Sequence, residues 1–250
     1  PFDERRKLTR WSDVATAIPG MGIIDTEEQR NEELGECLEY FTGLWNERVK
    51  HAAGNDLVSM LAHGEATRDM SPMEYLGNLV LLIVGGNDTT RSTMSASVYC
   101  MHRYPEQFAR MQAEPALIDD MVSETIRWQT PLAHMRRICK EDTELGGQQI
   151  KAGDKVIMWY VSGNRDERTI ENPDQFLIDR ERARQHISFG FGIHRCMGNR
   201  LAEMQLRVLW EEIQQRFDKI EVVGEPVRVP SCFVHGFSEL PVRLHLKKKA

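Results

Sequence analysis

A long stretch without proline, between Pro72 and Pro105, constrains the fold of this chain more than any other feature. Ser71 and Glu74 flank Pro72 with the spacing of a capping box, and proline is favoured at the first position of a helix. A helix therefore begins here and could extend for about 30 residues, roughly 45 Å at 1.5 Å per residue. The chain has 250 residues, of which 41% are hydrophobic, and this is enough to form a sizeable core.

The remaining patterns predict a mainly α fold with small β-sheets. Apolar residues recur at helical spacing in residues 3–18, 26–50, 105–111, 116–128 and 199–217. Residues 137–161 contain short β-like runs separated by glycine turns, and residues 220–246 alternate like hairpins. Because no repeat or linker divides the chain, we expect residues 1–250 to form a single domain.

Composition excludes several classes of function. A net charge of -6 argues against broad electrostatic binding to nucleic acid or to an anionic membrane. The longest purely apolar stretch, residues 79–84, is far shorter than the roughly 20 residues that span a bilayer. The 5 cysteines form no C-x-x-C pair, which suits a reducing compartment and excludes the usual zinc-finger spacings. We therefore expect a cytoplasmic protein without a transmembrane segment.

One cysteine has a setting that suits metal ligation. Cys196 lies in the segment FGFGIHRCMG, residues 189–198, immediately before a helical pattern. The N-terminus of a helix stabilises a thiolate, and the glycines allow the backbone to pass close to a flat, bulky ligand. The alternative interpretation is a buried, inert cysteine in a glycine-rich turn.

Two further segments are unusual. Residues 85–90, GGNDTT, place poor helix formers inside the long helix, where each glycine costs about 1 kcal/mol relative to alanine. Such a cluster indicates either a ligand close to the helix or a kink or close helix crossing. Glu124 and Arg127 are three residues apart on one helix face, which alone is typical of a weak surface pair.

Together these three segments resemble the cytochrome P450 family. They match F-x-x-G-x-x-x-C-x-G, [A/G]-G-x-[D/E]-T-T and E-x-x-R, in the family's order. The resemblance implies the C-terminal part of the P450 fold, with a long central helix, an E-x-x-R helix, a meander, a Cys-ligand loop, a final helix and a β hairpin. We therefore expect a single haem-thiolate monooxygenase domain whose N-terminal part is missing.

The resemblance also implies residue roles. Cys196 is the axial ligand of the iron of haem b, iron protoporphyrin IX. Thr89 hydrogen-bonds dioxygen and Asp88 relays protons. Arg137 and His194 neutralise the haem propionates, and Arg136 stays an alternative to Arg137 because a one-residue register shift exchanges them. The remaining haem-binding positions are Gly85, Gly86, Phe189 and Gly198. The structural cluster that locks the haem-binding core is Glu124, Arg127 and Arg180.

A narrower resemblance concerns the substrate. Residues 85–91, 134–137 and 189–213 are similar to the bacterial subfamily that hydroxylates the terminal carbon of medium-chain alkanes and fatty acids. The expected substrate-pocket residues are Leu82, Ile83, Leu132, Ala133, Phe233 and Val234, although core packing explains each of them equally well. The alternatives are a monooxygenase acting on a terpene or an aromatic compound, and a haem-thiolate sensing protein without turnover.

The implied oxidoreductase needs an electron donor. The resemblance implies NAD(P)H-derived electrons that pass through an iron–sulfur ferredoxin and its reductase. Residues 180–207 contain six arginines against two glutamates, a net of +4 in an acidic chain. This segment is either a solvated charged face or a docking surface for an acidic ferredoxin.

Overall fold

The structure is a computed structural model that describes residues 2–247. Its elements are mainly helices with small sheets, which confirms the fold class that the sequence predicts. The chain divides into two compact units, Pro1–Asp88 and Thr89–Ala250, and the longest helix continues across the boundary. Whether they form one domain stays a prediction. Within the described residues, no helix is both long enough and apolar enough to cross a membrane.

The first unit is helical. It contains α1 (Arg5–Thr16), α2 (Glu27–Arg48), α3 (Leu57–His63) and the first half of α4 (Pro72–Arg103). The core of this unit contains Trp11, Cys37, Phe41, Tyr75 and Leu79.

The capping box predicted before α4 is present. The backbone N–H of Ser71 donates to the Glu74 carboxylate at 2.9 Å, and the backbone N–H of Glu74 donates to the Ser71 hydroxyl oxygen at 3.3 Å. These two bonds satisfy backbone donors that a helix start leaves unpaired. From there α4 continues for 32 residues without a break.

The second unit adds short helices and four small sheets to the second half of α4. Its further helices are α5 (Pro105–Ala113), α6 (Ile118–Gln129), α7 (Tyr160–Gly163) and α8 (Asn199–Arg216). Its strands are β1 (His134–Ile138), β2 (Thr143–Leu145), β3 (Gln148–Ile150), β4 (Lys155–Trp159), β5 (Phe217–Val222), β6 (Val227–Arg228), β7 (Phe237–Glu239) and β8 (Val242–Leu246). The antiparallel pairs are β1 with β4, β2 with β3, β5 with β8 and β6 with β7.

Two irregular segments lie between α7 and α8. Residues 164–188, here called the meander, contain turns but no helix or strand, and residues 189–198 form the Cys loop. The core beside them includes Met121, Ile178, Leu206 and Trp210. The indole N–H of Trp210 on α8 donates to the hydroxyl oxygen of Ser97 on α4 at 2.8 Å.

Several predicted boundaries shift by one to three residues, and two of these shifts have a clear local cause. The pattern starting at residue 116 becomes helical only at Ile118, because Pro115–Leu117 form a tighter 3-10 turn. The helix predicted to end at residue 217 ends one residue earlier, because Phe217 pairs with Leu246 as the first residue of β5. In both cases local turns and strand pairing override helical periodicity.

Candidate functional site

The Cys loop folds back on itself before α8. The backbone N–H of Cys196 donates to the carbonyl oxygen of Phe189 at 2.8 Å. Gly190 and Gly192 have φ angles of 67° and 73°, which residues with a Cβ rarely adopt. At Gly190 a Cβ would also lie 3.0 Å from the hydroxyl oxygen of Tyr160. The two glycines therefore allow the turn that brings Cys196 to the start of α8.

The Cys196 side chain is exposed, and so are the apolar side chains around it. Phe191, Ile193 and Met197 have exposed fractions of 88%, 98% and 90%. Scattered apolar side chains are ordinary on a protein surface, whereas three in one short loop around a thiol form an apolar patch. This patch favours contact with an apolar ligand.

The other cysteines have different surroundings. Burial raises the pKa of the Cys37 thiol to about 11 and that of the Cys100 thiol to about 12. Since the thiolate is the form that binds metal, neither suits ligation. Cys139 donates its S–H to the carbonyl oxygen of Glu141, and Cys232 is exposed but lies in a bend. Cys196 is the cysteine at a helix N-terminus.

The surroundings of Cys196 fit a haem. Gly198 has no side chain to cap α8, so that the backbone N–H groups of the first turn and the positive end of the helix dipole lie next to the Cys loop. Within residues 2–247, no group of three or more His, Cys, Asp or Glu residues could hold a metal ion. A single soft thiolate beside an apolar patch fits a flat, apolar group that brings its other metal ligands with it.

The three cations assigned to the propionates differ in position. Arg136 and Arg137 project from opposite faces of β1, where Arg136 is exposed and Arg137 is half-buried. The Arg137 guanidinium donates to the Arg136 carbonyl oxygen at 2.9 Å. His194 ends the 3-10 turn of the Cys loop and is exposed. Because the two arginines face apart, only one of them can reach a given carboxylate.

The glycine segment of α4 leaves open space beside the helix. A Cβ added at Gly85 or Gly86 would meet nothing within 4 Å outside the local helix backbone. The helix continues through both glycines without a break, and the Thr89 carbonyl oxygen accepts a bond from the Thr93 hydroxyl at 2.7 Å. The open space at both glycines argues against a close helix crossing, and space for a neighbouring group remains.

Asp88 is a buried carboxylic acid with an exposed fraction of 2%. Among its partners, the side-chain amide of Asn87 donates to Oδ1 at 3.1 Å, and the hydroxyl of Thr16 lies 3.3 Å from Oδ2. A buried carboxylate needs such donors because water does not solvate it. Its position suits a group that holds or passes a proton.

Glu124 contacts both Arg127 and Arg180. The Glu124 carboxylate accepts two bonds from Arg127 at 2.7 Å and one from Nε of Arg180 at 3.0 Å. The backbone N–H of Leu177 adds a further bond at 2.9 Å. Glu124 and Arg127 are 0% and 1% exposed, so the pair is a buried cluster and not a surface pair. We call these three residues the Glu124 cluster.

The Glu124 cluster holds the meander through backbone carbonyl groups. Arg127 donates to the carbonyl oxygens of Asn164 at 2.7 Å, Pro173 at 2.9 Å and Gln175 at 3.1 Å. Arg180 donates to Gln175 at 2.9 Å. Since the meander has no strand partner, guanidinium groups take the place of a β ladder in pairing these carbonyls.

Sequence reasoning missed Asn164, which is fully buried. Its amide nitrogen donates to the hydroxyl oxygens of Thr130 and Ser188, both at 2.8 Å, and its side-chain oxygen accepts the Ile187 N–H at 2.8 Å. Ser188 in turn donates to the Ile126 carbonyl oxygen at 2.8 Å. Asn164 thus connects the end of α6 to the start of the Cys loop. No periodicity or motif marks it in the sequence.

The predicted substrate residues fall into two groups. In the first unit, Leu82 and Ile83 line an apolar cavity of about 590 Å³ together with side chains of α1, α2 and α3. In the second unit, Leu132 pairs with Val234, and the Ala133 N–H donates to the Phe233 carbonyl oxygen at 2.8 Å. These four predicted residues therefore lie side by side. Because the two segments are far apart in the sequence, the sequence alone does not reveal this pairing.

The basic segment is partly neutralised by internal ion pairs. Arg180 binds Glu124, Arg184 binds Glu203 at 2.5 Å, and Arg207 lies 3.9 Å from Asp119. Arg195 and Arg200 are exposed and form no ion pair within the described part of the chain. Two of the six arginines next to Cys196 thus present free charge.

Comparison with known proteins identifies relatives of this arrangement. The model of the family described as Cytochrome P450 matches residues 28–243. Linalool 8-monooxygenase of Pseudomonas putida is 36% identical over 95% of this chain and 58% of its own length. The methyl-branched lipid omega-hydroxylase of Mycobacterium tuberculosis is 33% identical over 97% of this chain and 57% of its own length. The chain thus spans little more than half of these curated relatives.

Solved structures show the same similarity. Cytochrome P450-153 from Novosphingobium aromaticivorans is 52% identical, with a TM-score of 0.89 over 96% of this chain and 59% of that chain. CYP153D17 from Sphingomonas sp. PAMC 26605 is also 52% identical, with a TM-score of 0.88 over 98% of this chain and 61% of that chain. Sequence and structure comparisons therefore agree on one family.

Proposed function

This chain belongs to the cytochrome P450 family, and we propose on that basis that the complete protein is a haem-thiolate monooxygenase. It inserts one oxygen atom of O2 into an unactivated C–H bond of an apolar substrate. The observation that carries this proposal is the Cys loop, in which an exposed thiol at a helix N-terminus is surrounded by exposed apolar side chains.

The proposed haem ligand is the Cys196 thiolate. Arg137 and His194 neutralise the propionates, supported by the absence of a competing ion pair at either residue within residues 2–247. The half-buried face of β1 favours Arg137 over the exposed Arg136. By the family resemblance we also assign haem contact to four further positions, namely Gly85, Gly86, Phe189 and Gly198.

Haem, when bound, supplies dioxygen activation and C–H hydroxylation. The chain's own residues set the conditions for that chemistry. The Cys196 thiolate provides an electron-rich ligand, the buried Asp88 carboxylate holds and passes protons, and the Thr89 hydroxyl donates a hydrogen bond toward dioxygen. The apolar side chains of the Cys loop provide an apolar contact surface beside the sulfur.

The proposed substrate is a medium-chain alkane or a fatty acid, hydroxylated at its terminal carbon. Leu82, Ile83 and the paired segments that contain Ala133 and Val234 are apolar, which suits a substrate oriented by shape. A terpene is the second candidate, because one relative is named for linalool. Product analysis of the complete protein with octane, a fatty acid and linalool distinguishes these substrates.

The proposed electron donor is an acidic iron–sulfur ferredoxin, reduced by NAD(P)H through its reductase. Arg195 and Arg200 carry the free positive charge near Cys196. We expect Arg200→Glu to slow reduction more at low salt than at high salt. Arg184→Glu is the comparison variant because Arg184 is already paired with Glu203. Equal rates for Arg200→Glu and the parent at low salt would exclude this surface.

The decisive experiment is the reduced, carbon-monoxide-bound absorption spectrum of the complete protein. A strongly red-shifted Soret band that disappears in Cys196→Ala, but persists in Cys232→Ala, supports thiolate ligation by Cys196. Cys232 is a matched control because it is also an exposed cysteine. A folded, haem-loaded protein without the band would contradict the proposed ligand and the monooxygenase chemistry built on it.

A further inference from the structure

Asn164 joins the two ends of the meander. It is the first residue of the meander, whereas Ile187 and Ser188 are the last two. Its side-chain oxygen accepts the Ile187 N–H, and its side-chain nitrogen donates to the Ser188 hydroxyl oxygen, both at 2.8 Å. These partners are 23 and 24 residues away in the sequence. One side-chain amide therefore closes the whole segment.

The end of α6 holds this amide in place. The Asn164 nitrogen also donates to the hydroxyl oxygen of Thr130 at 2.8 Å, and the Thr130 hydroxyl donates to the Arg127 carbonyl oxygen at 2.7 Å. Ser188 forms a second connection to α6, through the Ile126 carbonyl oxygen at 2.8 Å. Asn164, Thr130 and Ser188 are all buried, and leaving any of these polar groups unpaired would be costly. Residues 187 and 188 are thus tied to a helix.

These tied residues lead directly into the Cys loop. Phe189 follows Ser188, and its carbonyl oxygen accepts the Cys196 N–H at 2.8 Å. The Gly190 N–H donates to the Ile187 carbonyl oxygen at 2.8 Å. The positions of residues 187 and 188 therefore determine where the loop turns and where it returns to Cys196.

We propose that Asn164 is a positioning residue for Cys196, because its amide sets the place from which the Cys loop departs. This inference rests on the proposed role of Cys196 as the haem ligand. The backbone carbonyl oxygen of Asn164 accepts a bond from Arg127 at 2.7 Å, while its side chain binds the residues before the loop. Asn164 thus connects the Glu124 cluster to the position of the thiol.

The first test follows the backbone amide of Cys196 by hydrogen exchange in the complete protein. We expect Asn164→Ala to raise its exchange rate by at least about tenfold, because the bond to Phe189 then opens more often. The control is Gln107→Ala. Gln107 is also a buried side-chain amide, and its oxygen accepts the Ile178 N–H in the middle of the meander at 3.2 Å. This control should leave the rate at Cys196 within about twofold of the parent.

A milder variant is Ser188→Ala, which keeps the test decisive if Asn164→Ala does not fold. It removes one acceptor of the Asn164 amide and the bond to the Ile126 carbonyl oxygen. We expect it to raise the exchange rate at Cys196 by at least about threefold. Combined with Asn164→Ala it should add little, because both residues belong to one hydrogen-bond network.

The second test measures the fraction of bound haem that shows the red-shifted Soret band in the reduced, carbon-monoxide-bound protein. We expect Asn164→Ala to lower this fraction by at least about twofold, since groups that orient a metal ligand affect its bond to the metal. Gln107→Ala should retain the parent's fraction. The band reports thiolate ligation, so a general loss of stability in folded, haem-loaded protein does not change it.

The outcomes separate this inference from the proposed function. An unchanged exchange rate at Cys196 in Asn164→Ala and Ser188→Ala overturns the inference, and so do equal increases in Asn164→Ala and Gln107→Ala. A raised exchange rate with an unchanged band fraction overturns it as well, because the loop then moves without moving the thiol. A parent protein without the band contradicts the proposed haem ligand instead, and the exchange rates still decide whether Asn164 positions Cys196.

Discussion

The Glu124 cluster and the Cys loop belong to the same unit but differ in burial and in how their side chains are paired. In the cluster, an acidic side chain is completely buried and every partner comes from this chain. In the Cys loop, a thiol close to the start of a helix is exposed, and its apolar neighbours are exposed with it. The hydrogen-bonding groups of the cluster are thus paired inside the protein, whereas the loop places a thiol and apolar side chains on the surface. Three experiments test this difference.

The largest expected effect comes from Arg127→Ala. It removes two bonds to Glu124 and leaves a buried carboxylate with only one of its two charged partners, Arg180, which costs about 3–5 kcal/mol. Urea unfolding of the complete protein measures this loss. The control is Arg110→Ala, which breaks a half-exposed pair with Asp179 at 2.6 Å and should cost less than about 1 kcal/mol. Similar losses in the two variants would contradict the structural role of the cluster.

An intermediate effect on stability is expected at His186. Its ring is affected by the charges of Arg127 in the Glu124 cluster and of Arg195 in the Cys loop. Burial first, and then the positive charges of Arg127, Arg184 and Arg195, lower its pKa to about 4 from an ordinary value of 6.5. The unfolded chain therefore binds a proton at higher pH than the folded chain, so that stability falls as pH decreases from about 6.5 toward 4.

The variant that tests this prediction is His186→Asn. We expect it to reduce the loss of unfolding free energy between pH 7 and pH 5, measured by denaturant unfolding at each pH. His51→Asn, at an exposed histidine, is the control and should retain the parent's loss. A parent-like loss in His186→Asn would show that this ring is accessible to protons in the folded protein.

The smallest effect on stability is expected at Cys196. Because its side chain is exposed, Cys196→Ser should change the unfolding free energy of the haem-free protein by less than about 0.5 kcal/mol. In the parent, a thiol reagent should modify Cys196 before unfolding, but Cys37 and Cys100 only after it, since burial raises the pKa of both thiols. Protection of Cys196 in the haem-free protein would show that the loop closes by itself.

The elements that could be predicted from the sequence are those that depend on residues close together in the chain. The capping box at Ser71 and Glu74, the length of α4 and the strand at Arg137 follow from propensity and periodicity, and the structure contains them. The Cys loop was found because its glycines and cysteine form one contiguous motif. Arg180 was connected to Glu124 through the family resemblance and not through spacing.

The parts that escaped prediction depend on contacts between distant segments. Asn164 joins α6 to residues 187 and 188 through side-chain hydrogen bonds that leave no periodic trace. The net charge of residues 180–207 does not give the free charge of this segment, because pairing with Glu124, Glu203 and Asp119 is visible only in three dimensions. Charge counts along a sequence therefore overstate the free charge of a surface.

The hydrogen bonds that hold the meander also affect the susceptibility of this chain to proteolysis. Its carbonyl oxygens at Asn164, Pro173 and Gln175 are bound by the single guanidinium group of Arg127. A protease requires several residues of extended, released backbone, and the meander lacks a strand or helix that would have to unravel first. Arg180 adds bonds to the carbonyl oxygens of Asn172 and Gln175. Two guanidinium groups thus keep this backbone from reaching a protease, and limited digestion can report the loss of their bonds before the helices unfold.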